Sequence, residues 1–171
     1  MQWISRNLAE TEALAAGLAR SLDGEGGVVG LSGPLGAGKT AFAKALAGAL
    51  GIDPGVVASP TFVIAGELPL PPGGPVERLV HADFYRVEDP LELEMAGLAD
   101  WLAPGTLLLA EWADRFPEDL PADRLEVRID RAGGPGAGEL GPEERAITAQ
   151  ALGGPGSTAE AVLERWSQQC P

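Results

Sequence analysis

The pattern of apolar and polar positions divides this chain into alternating strands and helices. Trp3 and Ile4 form a short opening strand. Asn7, with Glu10 three residues on, has the form of a helix-capping box, and Leu14, Leu18 and Leu22 then recur every fourth residue, which marks one buried helical face. Asp23-Gly24-Glu25-Gly26 is a turn. Gly27 to Ser32 reads as a buried strand and Ala41 to Leu50 as a helix, with Gly51 at the left-handed position that closes it. Pro60 keeps Ser59 extended or in a turn. Val63 to Leu68 and Arg78 to Ala82 are expected as strands, joined through a Pro/Gly loop over Pro69 to Pro75. Asp89-Pro90-Leu91-Glu92 is a helix start with Asp as the cap and Pro at the first helical position; that helix runs to about Gly97, and Leu98 to Leu102 make a further short turn. Thr106 to Ala110 is the most apolar strand. Arg124 to Asp130 alternates, and Arg145 to Leu152 pairs back after a Gly/Pro-rich loop from Ala132 to Pro142. Ser157 or Thr158 caps a last helix that ends near Gln168.

This alternation implies an α/β fold, a mostly parallel central sheet with antiparallel additions and helices on its faces. The 171 residues suggest one domain, 1–171, with about 132–143 as the Gly/Pro-rich loop and 157–169 as the C-terminal helix. The Gly-rich stretches are too short to be spacers between domains.

Between the second strand and the second helix lies Gly33-Pro34-Leu35-Gly36-Ala37-Gly38-Lys39-Thr40, which fits G-x-x-x-x-G-K-[ST] in the strand-to-helix frame that motif requires. Glycines let successive N–H groups curl around phosphate oxygens. The helix N-terminus adds its partial positive charge. Lys39 would reach the β- and γ-phosphates, and the Thr40 hydroxyl would hold Mg²⁺. The motif implies nucleotide binding, not what the nucleotide does.

Charge narrows the partners. The formal net charge is −13, and the two lysines, Lys39 and Lys44, both lie in the phosphate-loop segment. Without a local basic patch such a chain should repel nucleic acid, so direct, tight binding of RNA or DNA by this chain alone is not expected. No apolar run is long enough to span a membrane, and the N-terminus lacks the pattern of a signal peptide, which points to the cytoplasm. The single cysteine, Cys170, excludes an internal disulfide and a cysteine metal cluster.

Phosphoryl transfer needs oxygen ligands for Mg²⁺ and a group to place the attacking species. Asp83 and Glu111 stand at the carboxyl ends of apolar strands, where ligands bind in open α/β sheets. Glu111, with four apolar residues leading into it, has the better metal-holding context. Asp83 is then the candidate for placing water or touching the metal shell. Thr61 sits where GTPase-like proteins carry a switch threonine, or simply caps the next strand. His81, the single histidine, reads by itself as a structural residue. Tyr85 and Arg86 suit a binding surface, Arg86 equally a partner for Glu88 or Glu92. Trp112, directly after Glu111, is a better functional candidate than Trp101.

Leu35-Gly36-Ala37-Gly38-Lys39-Thr40, Ser59-Pro60-Thr61-Phe62, His81-Ala82-Asp83-Phe84-Tyr85-Arg86, Leu91 to Leu98 and Glu111-Trp112 together resemble the TsaE (YjeE/YdiB) family, the bacterial P-loop ATPases of tRNA threonylcarbamoyladenosine biosynthesis. The resemblance covers about residues 3 to 130. It implies ATP with Mg²⁺, slow intrinsic hydrolysis, and cytoplasmic work with TsaD and TsaB, which modify adenosine 37 of tRNA. Under that resemblance Thr11, Gly33, Leu35, Gly36, Ala37, Gly38, Lys39, Thr40 and Ala41 contact the nucleotide, with the Asn7 to Thr11 segment near the adenine. Thr40 and Glu111 match the metal positions, and Lys39, Asp83 and Glu111 the catalytic ones. Thr61, His81, Tyr85, Arg86 and Trp112 fall in switch or partner-facing segments. The alternatives are a small P-loop kinase, for which Arg86 and Arg115 make a poor lid, and an interaction module in which ATP acts only as a switch. A GTPase would need an N-K-x-D segment, and the single asparagine, Asn7, precedes the phosphate loop.

Overall fold

In a computed structural model the described residues are 1–24, 26–53, 55–57, 64–132 and 140–169. Thr61 and most of the Ala132 to Pro142 loop lie outside them.

Seven strands form one sheet: β1 (Gln2–Ser5), β2 (Gly27–Ser32), β3 (Ala65–Pro69), β4 (Arg78–Asp83), β5 (Thr106–Glu111), β6 (Leu125–Arg131) and β7 (Arg145–Ala151). Their order is β1-β7-β6-β2-β5-β4-β3. The central β6, β2, β5 and β4 run parallel. β7 and β1 on one side and β3 on the other are antiparallel. This is the mostly parallel sheet with antiparallel additions that the chain pattern implied. β3 ends on Pro69, which was expected in the loop; an edge strand tolerates proline because one of its sides has no partner to bond.

β5 explains the layering. It is buried throughout, as a central parallel strand must be. Leu107 and Leu109 point into one apolar cluster, and Leu108 and Ala110 into another. The first cluster takes Leu14 and Leu18 from helix α1 (Leu8–Ser21), Phe42 and Leu46 from α2 (Lys39–Ala49) and Trp166 from the C-terminal helix. The second takes Leu93 from α3 (Pro90–Ala96), Leu98 and Trp101 from the one-turn α4 (Leu98–Trp101), and Phe116. The sheet is therefore covered on both faces.

Local chemistry sets the helix ends. Asn7 Oδ1 accepts from the Glu10 N–H at 3.0 Å, while Glu10 reaches back to the Arg6 N–H at 2.8 Å, one residue before the usual capping-box donor. α2 closes with the Gly51 N–H on Gly48 O and the Ile52 N–H on Ala47 O, both at 3.0 Å, the paired bonds of a Schellman ending. On α3 Asp89 is the expected cap, and Glu92 completes a capping box with it. In α5 (Thr158–Gln169), Ser157 is the cap: its Oγ accepts from the Glu160 N–H at 3.1 Å, and the Asp123 carboxylate takes the Thr158 and Ala159 N–H groups. α5 then seats Trp166 with no exposure, its Nε1–H on Leu14 O at 2.9 Å and its ring 4.6 Å from that of Trp3. That contact fixes α1 and, through Phe42, α2. Among the described residues no helix is long and apolar enough to cross a membrane.

Candidate functional site

The loop between β2 and α2 lies at the carboxyl end of the parallel strands. Gly33 has a φ of +131°, and a Cβ there would meet Ile129 O at 2.1 Å, so only glycine lets β2 leave the sheet this close to β6. Gly38 (φ +113°) begins α2. Leu35 is exposed and Ala37 buried, while Ala41 lies in the first turn of α2.

Lys39 is the first residue of α2 and is 5% exposed. Its Nζ donates to Gly33 O at 2.8 Å and Pro34 O at 3.1 Å, so the cation lies back across its own loop. The same Nζ stands 3.7 Å from the centre of the Trp112 ring. Burial pushes the Lys39 ammonium below its ordinary value, and the negative fields of Glu111, Asp114 and Asp83 oppose that fall.

Glu111 ends β5 and is 2% exposed. The Thr40 hydroxyl donates to its Oε2 at 2.9 Å. His81 Nε2 lies 2.9 Å from its Oε1. A buried carboxylate requires such donors, because its desolvation is otherwise uncompensated. Asp83 is directly opposite Glu111 in the β4–β5 register, so two carboxylates end adjacent parallel strands. Asp83 Oδ1 accepts from the Tyr85 N–H at 3.0 Å, which shapes the turn after β4.

Trp112 has a φ of 61°, the single non-glycine residue with positive φ among the described residues. Such a backbone is strained for a bulky side chain and persists where neighbours hold it. Here its N–H donates to Leu31 O at 2.8 Å, and its ring packs on Tyr85 with centroids 4.9 Å apart. Arg115, in the 3₁₀ turn Ala113–Arg115, donates to Phe84 O at 2.6 Å and also to Tyr85 O. It thereby ties the turn after β5 to the turn after β4.

The structure thus joins Lys39, Thr40, His81, Glu111, Trp112 and Tyr85 in one chain of contacts, with Asp83 beside it. Arg86 is exposed on the turn after β4. Thr11 is apart from that chain: it is buried in the first turn of α1, its hydroxyl 2.7 Å from Ser5 Oγ and 3.4 Å from Asn7 O. His81, which reads by itself as structural and by the resemblance as part of a switch or partner-facing segment, holds Glu111; its place two residues before Asp83 on the same strand face is a signal in the sequence. Two groups were missed. Arg115, weighed only as a lid, braces the Asp83 turn. Arg145 reaches the phosphate loop, its Nε–H on Ala37 O at 3.0 Å.

Thr40 and Glu111 present oxygen atoms of the kind a hard divalent cation takes. Gly38, where an added Cβ would meet nothing within 4 Å, leaves open space at the start of α2. A phosphate loop at the strand ends of a sheet covered on both faces, with a buried carboxylate on the loop threonine, defines a P-loop protein. Comparison with known proteins narrows the class. The family model described as threonylcarbamoyl adenosine biosynthesis protein TsaE matches residues 5–136. The chain is 40% identical over 153 residues to the TsaE of Bacillus subtilis, covering 90% of this chain and 87% of that protein. It is 43% identical over 136 residues to the TsaE of Streptomyces coelicolor, covering 79% and 86%. A crystal structure of YdiB from Bacillus subtilis is similar with a TM-score of 0.72 at 33% identity, over 98% of this chain and 94% of that one. This chain belongs to the TsaE family.

Proposed function

We propose that this chain binds ATP with Mg²⁺ in the cytoplasm and hydrolyses it slowly, in support of a TsaD–TsaB complex that carries out threonylcarbamoyl modification of tRNA. The observation that carries the reading is the buried Glu111 carboxylate held between the Thr40 hydroxyl and His81, beside Lys39 and the loop. Backbone amides of the loop and Lys39 bind the phosphates. Moving Lys39 Nζ from its own loop carbonyls to phosphate oxygens satisfies a buried cation better than neutral acceptors do. Mg²⁺, held by Thr40 and Glu111 directly or through water, would neutralise charge on the phosphates. Asp83 orients the water that attacks the γ-phosphorus, and the bond to the bridging oxygen breaks to give ADP and phosphate.

Partner dependence has its own support. The Asp83 turn is held by hydrogen bonds from Arg115 to the Phe84 and Tyr85 carbonyls, and an ordered partner can tighten it. Beside that turn Tyr85, Leu91 and Met95 are 50%, 55% and 81% exposed, an apolar surface suited to protein contact. The charge of −13 leaves RNA contact to the partners. The test is Mg²⁺-ATP turnover by the purified chain, alone and with TsaD and TsaB. Slow turnover that rises at least tenfold supports the proposal, a gain worth about 1.4 kcal/mol of barrier. Full-speed turnover indifferent to the partners would overturn the partner role and favour a small kinase.

A further inference from the structure

We propose that Arg145 is a positioning residue of the phosphate loop, one that sets the direction of the Gly38 amide. The inference rests on the nucleotide reading above. Arg145 opens β7, and its Nε–H donates to Ala37 O at 3.0 Å, across a separation of 108 residues. The other end of the guanidinium is also held: Nη1 donates to Glu144 O at 2.8 Å and to Pro142 O at 3.0 Å. The β7 backbone beneath it is fixed on both sides, by Ser5 of β1 and Arg131 of β6. The donor is therefore presented from a rigid sheet, not from a free side chain.

The Ala37–Gly38 peptide needs such a hold. Its flip turns ψ of Ala37 and φ of Gly38, and Gly38 has a φ of +113°. With no Cβ, Gly38 crosses φ space at little cost, so the flip is inexpensive on that side. A trans peptide is planar, so its C=O and N–H point in opposite directions. Fixing Ala37 O on Arg145 turns the Gly38 N–H away from β7, at the start of α2, where amides bind phosphate. With the carbonyl released, the peptide can rotate, and the loop presents an oxygen where it needs a donor. Arg145 thus acts through the loop backbone without touching the ligand.

The experiment uses the full chain and Mg²⁺-ADP as the probe. Arg145→Met keeps the length of the stem and removes the donor, whereas Arg145→Gln keeps an N–H donor without charge. Isothermal titration is expected to show ADP bound at least tenfold more weakly by Arg145→Met, and within about threefold of the parent by Arg145→Gln. Equal affinity of Arg145→Met and the parent would overturn the inference. So would equal weakening in both variants, which would make charge or packing the cause. A second measurement needs no substitution. In the parent protein without nucleotide, ¹⁵N relaxation dispersion at the Gly38 amide is expected to be flat, and exchange between two peptide orientations would also overturn it. A parent that binds neither ADP nor ATP defeats the nucleotide reading itself; normal binding with an unaffected Arg145→Met defeats only the role of Arg145.

Discussion

Removing His81 tests the centre of the site. Its Nε2–H donates to Glu111 Oε1 at 2.9 Å, and the two side chains are 2% and 3% exposed. A hydrogen bond to a charged acceptor is worth about 1.5–3 kcal/mol in a protein, and without it one lobe of a buried carboxylate has no donor. His81→Ala also leaves a cavity, so the single variant overstates the bond. A double-mutant cycle with Glu111→Ala cancels that packing cost, because the cavity appears on both sides of the cycle. The coupling in nucleotide-free protein is therefore expected at about 1.5–3 kcal/mol. For a chain of this size that corresponds to about 3 to 12 °C in melting temperature. Urea unfolding of the four proteins, with equal slopes, measures it. Single effects that add to within about 0.5 kcal/mol would show that His81 and Glu111 are neighbours without a working bond, and the reading of His81 as the residue that holds Glu111 would be wrong.

Three further outcomes are expected. Lys39→Met should lose ADP binding by calorimetry yet melt at a higher temperature than the parent without nucleotide, because it removes a cation that burial disfavours. Since the folded pKa is lowered, the unfolded state holds more protons between that value and the ordinary 10.5; parental stability rises with pH through this window, and the gap to Lys39→Met should close as pH approaches 10.5. Glu111→Ala should reduce Mg²⁺-dependent turnover by at least tenfold while changing ADP affinity less; equal losses would place Glu111 in binding alone. Trp166→Ala should cost about 3–5 kcal/mol in urea unfolding, since the ring is fully buried against Trp3 and Phe42 and its N–H is bonded to Leu14 O.

Local chemistry makes much of this legible in the sequence. The phosphate loop follows from glycines whose positions few other folds demand, and the helix starts from Asn7 and Asp89 follow from caps that act within four residues. Glu111 and Asp83 stand out in the sequence because they end apolar runs. What stayed hidden depends on strand order. Arg145 reaches Ala37 only because β7 joins the sheet through β6, next to β2. Arg115 braces Phe84 and Tyr85 only because β5 lies beside β4. Neither neighbourhood has a signature in a single sequence. The sequence alone does not choose between Ser157 and Thr158 as the cap of α5 for the same reason: the Asp123 carboxylate that takes the Thr158 and Ala159 N–H groups comes from a distant loop.

The site is a continuation of the core by a change of residue type along one sheet face. On β4 the side chains of Leu79, His81 and Asp83 share a face, and on β5 those of Leu107, Leu109 and Glu111 do so. Leu79, Leu107 and Leu109 belong to the apolar cluster under α2. One step further toward the carboxyl ends, the same ladder turns polar just where α2 begins with Lys39 and Thr40. The apolar rungs hold α2 at a fixed height, so Thr40 meets Glu111 at 2.9 Å without a flexible element between them. That rigidity makes the unfavourable features tolerable. A buried lysine and a tryptophan at φ 61° both lie on this rim, and each is held by backbone carbonyls at the end of β2: Gly33 O and Pro34 O of the loop just after it for one, Leu31 O within it for the other. Stability is therefore lower at the rim than the core beneath would allow, and the residues that lower it, Lys39 and Trp112, stand at the strand ends in and beside the phosphate-loop motif.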